Sequence, residues 1–226
     1  MRTLRLLRPD AWRSAPPSRG DAQFGRLHPW LTSRGSLTAR IMRHFQDFNL
    51  VRLAQCAQLP NLDERRAVGL RDGELAIVRE VLLRDGETPL VFAHSLVARR
   101  DLNGVWRGLS RLGGRPLAEM LFHDAAVARL PMEYRKIDAR HPLYRRAKEV
   151  APFQAASIWA RRSVFLKRGR PLLVTEVFLA GGLIPGNARA AIDPARPLGP
   201  DICGGACTDG KPDPLKLRAF FTAAGK

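Results

Sequence analysis

ASIWARRSVFLKRGRPLLVTEVFL, residues 156–179, decides the fold. Two runs rich in branched and aromatic residues, Ala156–Lys167 and Pro171–Leu179, flank the pair Arg168-Gly169. So short a connection joins antiparallel strands, because a parallel crossover needs about a dozen residues or more. Side chains alternate along a strand, which puts Leu172, Val174, Glu176 and Phe178 on one face and Leu173, Thr175, Val177 and Leu179 on the other. Glu176 interrupts an otherwise apolar face. An ionised carboxylate there is costly to desolvate unless a partner meets it.

Working outward, strands are expected at Phe48–Ala57, at Glu74–Arg84 and Pro89–Ala98 around the hairpin signal Asp85-Gly86-Glu87-Thr88, and at Val127–Asp138. Ser36 is a suitable N-cap for a helix over Leu37–Phe45. Leu102, Val105, Trp106, Leu109 and Leu112 share a face of a helix over Leu102–Leu112, which Gly113-Gly114 ends, and Pro116–Phe122 opens another. Six strands joined mostly by short turns, with few helices between them, predict an α+β fold: one six-stranded antiparallel sheet with helices packed on it. In the second strand Arg79 shares a face with Ile77, Val81 and Leu83. Arg79 and Glu176 are therefore candidate partners, directly or through a ligand held between them. A guanidinium grips a carboxylate in bidentate fashion, and a carboxylate can accept from a hydroxyl or remove a proton. A solvated face or a structural ion pair explains the same residues. Arg161 and Arg162 point to opposite faces of their strand, so at most one of them faces such a pocket.

The chain has 226 residues, 45% of them apolar, which suits one domain with tails. The expected division is a basic arm over 1–26, a domain over 27–179 and a Gly/Pro/Ala-rich tail over 180–226. The net charge is +17, from 38 basic and 21 acidic residues, and attracts nucleic acid, membrane headgroups or a carboxylated substrate alike. The 32 arginines against 6 lysines fit a GC-rich genome, and no nucleic-acid-binding motif is present, so no nucleic-acid partner is expected. The basic arm is a candidate for weak contact with anionic lipid. The longest apolar stretch, 172–184, falls short of the roughly 20 residues of a spanning helix. Cys56, Cys203 and Cys207 form no disulfide framework, so a reducing cytoplasm is the expected compartment, and the Cys203–Cys207 pair lacks further ligands for a metal.

GSLTARI (35–41), REVLLRDGETP (79–89), RLGGRPLAEMLF (111–122), WARRSVFL (159–166) and GRPLLVTEVFL (169–179) resemble chorismate lyases in order and spacing, from about Leu27 to Leu179. The resemblance implies a monomeric enzyme that cleaves chorismate to 4-hydroxybenzoate and pyruvate without a cofactor, for ubiquinone biosynthesis. It implies an enclosed site beneath flap segments. Arg79 then holds the ring carboxylate, Glu176 lies beside the ring hydroxyl, and Leu37 and Leu117 offer main-chain contacts. His94 stands where many members have arginine, a position tied to a further anion contact; a strand histidine bonded to nearby backbone explains it equally. The alternatives are a ligand-sensing regulator domain of similar fold and a basic nucleic-acid-binding protein. The first normally follows a winged-helix reader of roughly 60–70 residues, longer than the 26 that precede the domain here. The second predicts affinity that falls steeply with salt.

Overall fold

The computed structural model describes residues 11–16, 22–179 and 183, and the backbone of 207–208 and 211–212. Seven antiparallel strands form one sheet: β1 (Phe48–Gln58), β2 (Ala76–Asp85), β3 (Thr88–Ala98), β4 (Val127–Arg129), β5 (Glu133–Asp138), β6 (Ser157–Lys167) and β7 (Arg170–Phe178). Their order is β1-β2-β3-β7-β6, with β4 and β5 both on the outer edge of β6. The α+β class stands, and the expected count of six becomes seven because Val127–Asp138 is broken. Arg129 lies opposite Phe165 and Glu133 opposite Arg162, so three residues of the outer strand face two of β6. Pro131 has no N–H to give a ladder, and the extra residue forms a bulge there. The β6–β7 turn puts both Arg168 (φ 48°) and Gly169 (φ 72°) in the left-handed region, as a two-residue turn between twisted strands requires.

Helices cover both faces of the sheet. On one lie α1 (Ala22–Leu31) and α2 (Leu37–His44), whose Phe24, Leu27, Leu31, Leu37 and Ile41 pack with Val81, Leu83 and Phe178. Further along that face, Leu117 and Leu121 pack with Trp106, Leu109, Phe165 and Leu172. On the other face, α3 (Leu62–Ala67) carries Glu64 inward, and Leu143, Tyr144 and Ala147 pack with Phe92, Ile158 and Val177. The alternation of β7 is as expected, with Leu172 and Phe178 in the first layer and Leu173, Val177 and Leu179 in the second.

The expected helix over Leu102–Leu112 is instead α4 (Arg99–Leu102) followed by a single 3-10 turn at Arg107–Arg111. Asn103-Gly104 interrupts it, since glycine disfavours a helix interior. Trp106, Leu109 and Leu112 are nonetheless buried, so the apolar face survives the break. The remaining helices are α5 (Leu117–Phe122) and α6 (Pro142–Val150).

Residues 1–10 and 17–21 of the expected arm lie outside the described residues. The rest of it is docked: Arg13 exchanges both backbone hydrogen bonds with Tyr134, and Trp12 Nε1 donates to Asp63 at 2.6 Å. Phe24 is fully buried, so the packed domain reaches beyond Leu27 toward the N-terminus. Among the described residues no helix is long and apolar enough to cross a membrane. The chain divides into two units, 1–189 and 190–226. In the second, β8 (Cys207–Thr208) pairs with β9 (Lys211–Pro212). Cys203 lies outside the described residues.

Candidate active site

A cavity of about 50 Å³ lies between the first sheet face and the starts of α2 and α5. Arg79 of β2, Ser95 of β3, Glu176 of β7 and Arg129 of β4 line it, with Leu37 and Leu117 above. The sheet register explains why they converge. Arg79 lies opposite Ser95 and Ser95 opposite Val174, while Glu176 sits two residues further along β7, opposite Ala93. Standard strand spacing then puts the Arg79 and Glu176 backbones about 12 Å apart. Two inward-reaching side chains leave room between them for a planar ring.

Arg79 is 2% exposed and has no carboxylate partner among the described residues. Its Nη2 donates to the carbonyls of Gly113 (3.2 Å) and Arg115 (2.9 Å), and its Nε has no partner. Gly113 adopts φ 57°, a conformation glycine takes without strain, which is what the Gly-Gly pair supplies to the loop. Burial, and then the charge of Arg52, pull the Arg79 pKa down to about 10, so it stays charged at neutral pH. A buried cation with no anion is poised for one.

Glu176 is bound by Arg161, not by Arg79: Arg161 Nε donates to Glu176 Oε2 at 2.5 Å. Arg161 is fully buried, and its Nη1 donates to the carbonyls of Trp30, Leu31 and Ser33, which satisfies the carbonyl end of α1. Arg162 points to the opposite face, where it pairs with Glu133 at 2.7 Å. The two consecutive arginines are thus assigned: Arg161 supports the cavity and Arg162 does not.

Leu37 and Leu117 each occupy the first position of a short helix, where backbone N–H groups have no intrahelical acceptor. Ser36 caps α2 by accepting from the Ala39 N–H at 3.1 Å. Both helices line the cavity and touch each other.

Arg129 was not singled out by the sequence. Its Nε donates to Ser163 Oγ (3.0 Å), its Nη1 donates to the Arg34 carbonyl (2.6 Å), and its guanidinium lies over the Phe122 and Phe165 rings. Burial lowers its pKa, with Glu176 opposing that shift and Arg161 adding to it. The signal was weak, one arginine among many at the end of a three-residue strand.

His94 is not in this cavity. Ala93 and Ser95 face inward, so alternation turns His94 to the other side of the sheet. There its Nδ1 lies 3.3 Å from Glu80 and its Nε2 3.2 Å from Glu64, and Arg146 donates to Glu80 at 2.9 Å. The Nε2 approach is an ion-pair contact without hydrogen-bond alignment. Burial alone would lower the His94 pKa, but Glu64 and Glu80 outweigh it and push it up to about 9. A folded value above the unfolded one, near 6.5, means that this stabilisation is complete below about pH 6.5 and is lost as pH rises through 9. Thermal unfolding should therefore show stability declining by about 3 kcal/mol from pH 6.5 to 9.5. The variant His94→Gln should flatten that decline; an equal decline in the variant would exclude His94 as its source.

The chorismate lyase family model matches residues 19–185, about three quarters of the chain. A second model, N-(5'phosphoribosyl)anthranilate isomerase, matches 163–223, about a quarter, and shares 163–185 with the first. The chain is 45% identical over 171 residues to a probable chorismate pyruvate-lyase of Nitrosomonas europaea, covering 76% of this chain and 94% of that protein. It is 46% identical over 159 residues to a probable chorismate pyruvate-lyase of Thiobacillus denitrificans, covering 70% and 85%. Among solved structures, the PhnF C-terminal domain aligns with TM-score 0.48 at 16% identity, over 66% of this chain and 92% of that one. A GntR-family regulator from Bacillus cereus gives 0.46 at 9%, over 60% and 93%. Scores at this level say nothing of function.

Proposed function

The chain belongs to the chorismate lyase family, and from that membership we propose that its cavity eliminates pyruvate from chorismate and leaves 4-hydroxybenzoate. The observation that carries this reading is the buried guanidinium of Arg79, which faces the same cavity as Glu176 and has no anionic partner among the described residues. Chorismate is a dianion on a six-membered ring, and its ring carboxylate supplies that partner. Arg79 binds this carboxylate through the donors that the Gly113 and Arg115 carbonyls leave free. Glu176, held in place by Arg161, accepts from the 4-hydroxyl. Backbone N–H groups at Leu37 and Leu117 contribute further polar contacts.

In the reaction the ether bond between ring and enolpyruvyl oxygen breaks, and hydrogen leaves the hydroxyl-bearing carbon. The ring becomes aromatic, and the enolpyruvyl fragment gains hydrogen at its methylene carbon to become pyruvate. No redox partner is required, so the chemistry needs no cofactor. The protein's contribution is orientation of the dianion and electrostatic stabilisation of the departing oxygen. Two routes satisfy the atom balance: Glu176 removes the ring hydrogen, or it passes directly to the methylene carbon. Deuterium on that ring carbon distinguishes them, entering the pyruvate methyl group in the direct route and appearing in water in the other.

We take the acting unit to be a cytoplasmic monomer, as the family resemblance implies, with the product feeding ubiquinone biosynthesis. The deciding experiment is purified chain plus chorismate, with no added metal or nucleotide. Equal amounts of 4-hydroxybenzoate and pyruvate are expected, and absence of either product would refute the reading.

A further inference from the structure

Resting on the lyase reading above, we propose that Arg129 binds the second carboxylate of chorismate, the one that departs with pyruvate. The register places Arg79, Ser95, Val174 and Ser163 in one row across β2, β3, β7 and β6. Arg129, on the next strand out, reaches back over that row and donates to Ser163 Oγ. Arg79 and Arg129 therefore enter the cavity from opposite ends of one floor, with Glu176 two residues to the side between them.

Both guanidinium groups lack a carboxylate partner among the described residues, whereas Glu176 is paired with Arg161. The site thus presents two guanidinium groups with no carboxylate bonded to either, one on each side of the cavity. Chorismate carries two carboxylates, one on the ring and one on the enolpyruvyl group attached beside the hydroxyl-bearing carbon. A single carboxylate would leave either the buried Arg79 or the half-buried Arg129 unpaired, a cost that a dianion removes.

Arg129 is also built to hold still. Its guanidinium is fixed by Ser163 Oγ and the Arg34 carbonyl and lies 5.3 Å from the centre of Phe165 and 5.7 Å from that of Phe122. A fork pinned on two of its nitrogens presents the third with little entropy left to lose. Its partner is lost in the reaction: 4-hydroxybenzoate retains only the ring carboxylate, which stays with Arg79. The enzyme therefore holds the substrate at two ends and the aromatic product at one.

This division separates Arg129 from a merely structural arginine. In Arg129→Gln, the KM for chorismate is expected to rise about 10- to 100-fold, the range of a charge-assisted hydrogen bond. Inhibition by added 4-hydroxybenzoate should stay within about threefold of wild type, because the product never touches Arg129. In Arg79→Gln both quantities should weaken together. Arg129→Lys keeps the charge and loses the fork, so its KM should fall between those of wild type and Arg129→Gln. An unchanged KM in Arg129→Gln, or equal weakening of substrate and product, would overturn the assignment. If Arg129→Gln does not fold, the lysine variant decides alone, by whether substrate weakens more than product. An inactive wild-type chain would instead remove the lyase reading on which the assignment rests.

Discussion

Replacing Arg79 by alanine is expected to lower kcat/KM for chorismate by about a hundred- to a thousandfold, the consequence of removing one member of a desolvated charge pair. The side chain is enclosed and its Nη2 is already used by two backbone carbonyls, so no neighbour can reach in to replace it. Lysine should rescue little, because a point charge cannot serve the loop carbonyls and a planar carboxylate together. Stability should behave differently. Alanine removes an unpaired buried cation, which stabilises, and orphans two loop carbonyls, which destabilises. The two effects oppose, so the melting temperature should move by only about a few degrees. Steady-state kinetics with a thermal melt on the same sample checks both halves. Retained turnover in a folded Arg79→Ala protein would end the anchor role.

The second large effect is expected at Glu176. Glu176→Gln keeps an oxygen that can accept from Arg161, so the fold should persist while kcat falls by about a hundred- to ten-thousandfold, the range of a lost general base. Glu176→Leu should in addition destabilise the protein by about 3–5 kcal/mol, because Arg161 is then buried without an anion. Denaturant unfolding of the pair separates chemistry from support. A glutamine variant with wild-type kcat would show that the carboxylate takes no proton, and would favour direct transfer within the substrate.

Much of this was legible in the sequence, and the physical reason is period two. Alternation assigned the faces of β7 without error and put Glu176 and Arg79 where a shared cavity required them. His94 shows where that rule stops: alternation sets it on the face opposite to Ala93 and Ser95, but only the register with β2 and β7 shows that those two face the cavity. Between Arg161 and Arg162 alternation separated the faces but could not choose, because which face holds the cavity depends on where α1 and α2 pack. Helices α3 and α6 went unread: one is six residues long, the other nine, and each is defined by contacts with the sheet more than by its own periodicity. Arg129 was hidden by abundance, being one of 32 arginines in the chain.

The irregularity at Leu130-Pro131-Met132 sets a rule of parity for the outer edge. Because one surplus residue lies there, Arg129 and Tyr134 both turn toward α1 and α2, although they are an odd number of positions apart, and Glu133 comes to rest against Arg162. Removing a single residue from this stretch would leave two residues facing two of β6, an unbroken ladder that keeps the arginine and the tyrosine on one face and the glutamate against Arg162. The surplus residue is therefore dispensable to the facing of its neighbours, and a one-residue deletion here should be tolerated with the fold and the cavity lining unchanged.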